Sequence, residues 1–137
     1  MIGINIGTAI LSTAYALQNR HGNIRNSIKK KFPKFGEFYG KVSSIMEHFV
    51  SGYAVTCLGY ACQESEPLKE FMLNKFPGSP VEQCGLIAAV GTTSFDLAWE
   101  TSQAIERKKI KPSQFIGTCA GALTAITINN LEQILSK

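Results

Sequence analysis

The sequence predicts an all-α protein, a four-helix bundle whose helices we expect to cross a membrane. Three observations favour this fold class. Four apolar runs alternate with polar connectors, charged residues make up only 18% of the composition, and Lys and Arg are spread unevenly over the connectors. Soluble domains usually carry about 25% charged residues. Because the chain has 137 residues, we expect residues 1–137 to form a single helical domain.

The first apolar run, residues 2–18, is predicted to form the first helix. Gly3 and Gly7 are four residues apart and therefore share one helix face. Small residues at this spacing let two helix backbones approach closely in lipid, although a buried helix of a soluble protein can use the same spacing. We therefore identify Gly3 and Gly7 as candidate helix-packing residues.

The first connector, residues 19–41, is strongly basic. It contains a cluster of four lysines, Lys29, Lys30, Lys31 and Lys34. Such a cluster could bind the phosphate groups of anionic lipid, or it could be a solvated connector. No motif supports binding to nucleic acid, so we expect no nucleic-acid partner.

The second apolar run, residues 42–62, is long enough to span a bilayer as a helix. In the connector that follows, Ser65-Glu-Pro67 is a good helix start, so we expect a short amphipathic helix there. Cys62 and Cys84 lie at the two ends of this connector. They could form a disulfide in an oxidising compartment, or remain two free thiols.

The third and fourth runs, residues 86–99 and 115–128, are predicted to form a helical hairpin joined by a basic turn. Gly117 and Gly121 are four residues apart, so they make one face of the fourth helix nearly flat. We expect this face to pack against the first helix.

Polar residues gather near the turn of this hairpin. Glu100 and Gln103 end the third run on one helix face, and we expect His48 and Ser113 to join them in a polar cluster. Asp96 lies one turn deeper than Glu100 and needs a partner inside the bundle. A His beside a carboxylate can perform acid–base chemistry or can tie two helices together; the structural role is favoured, and no catalytic residue is assigned.

The three connectors carry seven, two and four Lys and Arg residues, in that order. In a membrane protein this alternation would place the first and third connectors in the cytoplasm and both termini on the opposite side. The expected partners are the lipid bilayer and, in an accessory subunit, other membrane proteins. The four cysteines and two histidines match no metal-binding pattern, and no cofactor motif is present, so we expect neither a metal nor a cofactor.

Three short motifs give the chain a resemblance to a known family. They are His48-Phe49, Glu100-Thr-Ser-Gln103, and Ser113 followed by Gly121. In this order and spacing they resemble the VanZ-like family of small bacterial membrane proteins, over about 75 residues. The resemblance implies a small helical membrane protein of the cell envelope, from a family with some members linked to glycopeptide antibiotic resistance.

The chain departs from the VanZ-like pattern at four positions. Ser44 and Ile45 stand where the family has Asp and Lys, Gln114 stands for an Asp, and Thr118 stands for an Asn.

Three functional hypotheses follow. The first is a VanZ-like membrane protein of the cell envelope without demonstrable catalytic activity. The second is an accessory subunit that packs into a larger membrane complex. The third is a soluble helical protein with a polar site built on Glu100 and His48.

Overall fold

The computed structural model describes residues 2–21, 23–107 and 112–135, and the surroundings of the side chains in 6–15, 26–106 and 112–135. The predicted all-α class is confirmed, but these residues form six helices rather than four. The helices are α1 (Ile2–His21), α2 (Asn23–Lys31), α3 (Pro33–Glu64), α4 (Glu66–Lys75), α5 (Cys84–Arg107) and α6 (Pro112–Leu135), with a 3-10 turn at Val81–Gln83.

The long helix α3 is the centre of the fold, since α1, α2, α5 and α6 all pack against it. It begins at Pro33, whose fixed φ and missing N–H suit the first position of a helix. The sequence predicted a connector over residues 19–41, and this prediction is wrong, because the segment forms α2 and the first turns of α3. The two helices fold onto each other at Gly36, where a Cβ would collide with the backbone of Lys29.

The short helix α4 occupies the segment in which the sequence predicts a helix start at Ser65–Pro67. Lys69 Nζ donates to Glu66 Oε1 at 2.9 Å on its surface. None of its residues is buried, and Leu68, Phe71 and Phe76 of its apolar stripe are exposed. The chain then turns at Gly78, whose φ of 84° lies in the left-handed region that glycine adopts without strain.

The core is built from small residues instead of large apolar ones. Ala9, Ala54, Cys57 and Ala125 form its buried cluster, with Tyr53 packed against them. The side chains of Thr56 and Asn129 are also buried, and each donates a hydrogen bond to a carbonyl one turn earlier in its own helix. Since small residues fill the interior, the helices approach closely and many large apolar side chains lie outside.

The prediction of four membrane-spanning helices, and of a multi-pass membrane location, is wrong. Over the described residues, none of the helices combines the length and the apolar character that a bilayer crossing requires. The apolar runs are interrupted by hydroxyl and carboxyl side chains, as at Asp96 and Thr118, and these lower the hydropathy of the runs.

Candidate functional site

A buried polar cluster, which we call the Asp96 cluster, joins α3, α5 and α6. It consists of Asp96, His48 and Thr118. The Nδ1 of His48 lies 3.2 Å from Oδ1 of Asp96, and Thr118 Oγ1 donates to Oδ2 of Asp96 at 2.8 Å. Thr118 Oγ1 is also 3.5 Å from the Nδ1 of His48. Three helices therefore each contribute one member of a single hydrogen-bonded group.

Glycines place Thr118 and His48 side by side. A Cβ on Gly52 of α3 would collide with the carbonyl oxygen of Thr118, and a Cβ on Gly117 of α6 would lie 3.3 Å from the Cβ of His48. The backbones of α3 and α6 can meet this closely only because these positions lack a side chain. The cluster therefore depends on the glycine crossing as well as on its own hydrogen bonds.

The electrostatics of the cluster centre on Asp96, which is 8% exposed. A buried carboxylate is costly unless donors satisfy it, and Thr118 and His48 supply donors to both of its oxygens. With neutral His48, this bond selects the tautomer with the proton on Nδ1. The Nε2 of His48 makes no hydrogen bond with the described residues, and the ring remains 23% exposed.

Asp96 and Thr118 are the members of the cluster that the sequence analysis did not place there. The signal for Asp96 was present, since a buried carboxylate requires a partner inside the bundle. Thr118 gave no signal of its own, because a Thr in an apolar helix usually bonds to the carbonyl one turn earlier. Six other threonines do so: Thr13, Thr56, Thr93, Thr101, Thr124 and Thr127.

The residues of the predicted polar cluster lie in different surroundings. His48 pairs with Asp96. Glu100 is 8% exposed, on the same face of α5 one turn further along, and has no hydrogen-bond or ion-pair partner among the described residues. Gln103 is half-buried another turn on, and Ser113 is exposed at the start of α6. No hydrogen bond among the described residues links Gln103 or Ser113 to Glu100.

Two positions that depart from the VanZ-like pattern bond to each other. Gln114 Nε2 donates to Ser44 Oγ at 2.7 Å, which ties α6 to α3 about one turn before Thr118 and His48. This pair of an amide and a hydroxyl is neutral and needs no counter-charge.

The four glycines predicted to pack helices also lie in different surroundings. Gly117 and Gly121 lie at a close crossing with α3 rather than with α1. A Cβ on Gly117 would lie 2.7 Å from the carbonyl oxygen of Ile45, and one on Gly121 would overlap the carbonyl oxygen of Phe49. A Cβ on Gly7 would meet no described atom within 4 Å. The surroundings of Gly3 lie outside the described side chains.

The structure holds Cys62 and Cys84 as free thiols at the junction of α3 and α5. Cys62 is exposed and Cys84 is half-buried. Burial and, next, the neighbouring Cys62 thiol raise the pKa of the Cys84 thiol. The N–H of Gly85 donates to Oε1 of Gln63 at 3.3 Å, so the residues that follow the two cysteines are in direct contact.

Exposed apolar side chains cover the side of α5 that faces away from the bundle. We call this surface the α5 outer face. The two carboxylates of this helix that are buried, Asp96 and Glu100, point to the opposite side. The large apolar residues of the α5 outer face, each at least 48% exposed, are Leu86, Ile87, Val90, Phe95, Leu97, Trp99 and Ile105.

The predicted anionic-lipid residues Lys29, Lys30, Lys31 and Lys34 are exposed at the end of α2 and the start of α3. Positive side chains in the last turn of α2 complement the negative end of its dipole, which gives the first three a structural role. Their binding to lipid stays a prediction. Among the described residues, no group of three or more His, Cys, Asp or Glu side chains is arranged to hold a metal ion.

Comparisons with protein-family models, curated proteins and solved structures find no match to this chain. The resemblance to the VanZ-like family therefore stays a prediction based on the three short motifs.

Proposed function

We propose that this protein is a helical assembly subunit that packs the α5 outer face against another protein chain. One observation carries the proposal: α5 buries the carboxylates of Asp96 and Glu100 and exposes its large apolar residues. Phe95 is 70% exposed, whereas Asp96, the next residue, is 8% exposed. An amphipathic helix that stays in water has the reverse arrangement.

The physical reason is the free energy of burial. Single exposed apolar residues are common on protein surfaces, but a contiguous apolar patch usually marks an interaction site. Burial stabilises by about 25 cal/mol for each Å² of apolar surface that is removed from water. Aromatic residues such as Phe95 and Trp99 therefore offer the largest gain, and they are also enriched in protein interfaces.

The Asp96 cluster has a structural part in this proposal. It bonds α5 to α3 and α6 through one buried carboxylate, so the buried face of α5 has a single preferred orientation. The α5 outer face is then presented as a rigid surface, which lowers the entropy cost of binding. The proposal keeps the accessory-subunit hypothesis of the sequence analysis but not its membrane setting.

Site-specific photo-crosslinking in cells that express the chain tests the proposal. A photoreactive phenylalanine analogue at Phe95 should give discrete protein adducts, because a partner covers that position. The same analogue at Asn74, an exposed position of α4, is the matched control and should give none. Absence of protein adducts at Phe95, Val90 and Leu97 would overturn the proposal.

A second candidate, an acid–base site at His48, is favoured by the Nε2 of that ring, which makes no hydrogen bond with the described residues. A carboxylate on Nδ1 and an unbonded Nε2, in a side chain that is 23% exposed, are the arrangement in which His acts as a general base. Fragment screening by NMR tests this candidate. Ligands that shift the NMR resonances of His48 in the wild type but not in Asp96→Asn would support this candidate. A diverse library that contains no such ligand would count against it.

A further inference from the structure

The α5 outer face contains a regular seam. Six exposed residues follow one another at intervals of four, three, four, three and four positions. This spacing is the heptad repeat by which two helices pack along their length. The seam residues are Ile87, Gly91, Ser94, Ala98, Thr101 and Ile105.

Nothing in the described bundle occupies this seam. At 100° per residue the seam lies on the side of α5 opposite Asp96, which points into the bundle. A Cβ built on Gly91 meets no described atom within 4 Å. The seam is about 27 Å long at 1.5 Å per residue, so its partner must be a helix of comparable length.

The seam is symmetric about the position of Asp96. If two copies of α5 lie antiparallel, Ile87 faces Ile105 of the second copy, Gly91 faces Thr101, and Ser94 faces Ala98. The bulky residues then meet at both ends and the small ones in the middle, where the backbones can approach closely. A surface that is complementary to itself after a half-turn is what a two-fold dimer requires.

The apolar residues beside the seam obey the same symmetry. In this register Phe95 of one copy lies opposite Phe95 of the other along one edge of the interface, and Leu97 lies opposite Leu97 along the other edge. They are 70% and 50% exposed in the isolated chain. Pairing would remove both from water without moving any helix of the bundle.

Charges select the antiparallel direction. Glu82, just before α5, has a side chain that is 81% exposed and lies 4.0 Å from Lys69 Nζ. The segment after α5 carries Arg107, Lys108, Lys109 and Lys111. Residues 108–111 lie outside the described residues. Antiparallel pairing sets the start of α5, which follows Glu82, beside the end of the second α5, after which the basic sequence begins. Parallel pairing would set ends of like charge beside each other.

We propose that the chain forms a two-fold dimer through antiparallel pairing of the α5 outer faces, a proposal that rests on the assembly function and names its partner as a second copy. Sedimentation equilibrium tests it. The wild type should have twice the 14.9 kDa mass of one chain. Ala98→Arg places a long charged side chain in the seam and should give the mass of one chain. Thr127→Arg, at an exposed site on α6, is the control and should remain dimeric.

The direction of pairing has its own test. Glu82→Lys should raise the dimer Kd about two- to fivefold at low salt, as expected for one exposed ion pair at each end, and added salt should reduce the difference. Glu70→Lys makes the same charge change on α4 and should leave the Kd unchanged. An unchanged Kd in Glu82→Lys would overturn the antiparallel register.

Circular dichroism distinguishes dissociation from unfolding, since Ala98→Arg should keep the helical content of the wild type. The dimer would be overturned by a monomeric wild type or by an Ala98→Arg variant that remains dimeric. It would also be overturned by an assembly larger than two chains, or by a monomer that associates only with phosphatidylcholine vesicles. If Phe95 crosslinks to a different protein while the purified chain is monomeric, the assembly function survives and the second-copy inference fails.

Discussion

Asp96 and Glu100 lie one turn apart on the buried face of α5, and only Asp96 has hydrogen-bond partners among the described residues. Both residues are equally buried, so a comparison of the two separates the effect of burial on stability from the effect of hydrogen-bond partners. Asp96 is held by His48 and Thr118, while Glu100 has no such partner among the described residues.

We therefore expect opposite results from the two matched amide substitutions. Asp96→Asn removes the charge from a satisfied network and should lower the free energy of unfolding by about 1–3 kcal/mol. Glu100→Gln removes a buried charge that has no partner among the described residues, and it should leave stability unchanged or raise it. Urea unfolding at neutral pH measures both, and a larger loss in Glu100→Gln than in Asp96→Asn would contradict this account.

The hydroxyl of Thr118 contributes to stability through Asp96. Thr118→Val keeps the shape of the side chain but removes the donor, and we expect a loss of about 1.5–3 kcal/mol, as for hydrogen bonds to charged groups. Thr127→Val is the control, because Thr127 bonds to the Leu123 carbonyl at an exposed site of the same helix. Equal losses in the two variants would show that Asp96 draws no special benefit from Thr118.

The glycine crossing of α3 and α6 should not tolerate even a methyl group. Gly121→Ala places a Cβ against the Phe49 carbonyl and should destabilise the protein by about 1–3 kcal/mol through overpacking. Gly7→Ala, whose Cβ meets open space, should be neutral or should stabilise α1 by up to about 1 kcal/mol. Thermal unfolding of the two variants in parallel provides the comparison.

The thiols should differ in reactivity and in pairing. Cys62 is exposed and should react first with a thiol reagent, whereas Cys57 is fully buried and should react last. Mild oxidation should join Cys62 to Cys84, and closing a loop of about 20 residues should stabilise by roughly 3 kcal/mol. Peptide maps with and without reductant detect the bond. Cys62→Ser is the control, and free thiols at both positions after oxidation would refute the pairing.

Stability should fall in alkaline solution. Burial is the main cause that raises the pKa of Tyr60 and of Cys57 above their ordinary values. A group whose pKa is higher in the folded protein than in the unfolded chain stabilises the fold fully below its unfolded-state pKa. This stabilisation is lost as the pH rises through the folded-state pKa. The unfolding midpoint should therefore decrease between about pH 8 and pH 10.5. Tyr60→Phe should show a smaller decrease, and an identical pH profile would exclude a contribution from Tyr60.

The sequence by itself determined the helical class, the short helix after Ser65, and the need of Asp96 for a partner inside the protein. These follow from local chemistry: apolar runs of helical length, a Ser and a Pro at a helix start, and the cost of a buried carboxylate. The spacing of Gly117 and Gly121 likewise marked a close helix crossing.

Only the tertiary structure decided which surfaces meet. It placed α3 rather than α1 against Gly121, paired His48 with Asp96 rather than with Glu100, and extended α3 back to Pro33 through a basic segment. Partners far apart in sequence are selected by packing, and one helix face of small residues fits several neighbours almost equally well. For the same reason, the apolar character of α5 suggested burial in lipid, until the fold showed Asp96 and Glu100 inside and the large apolar side chains outside.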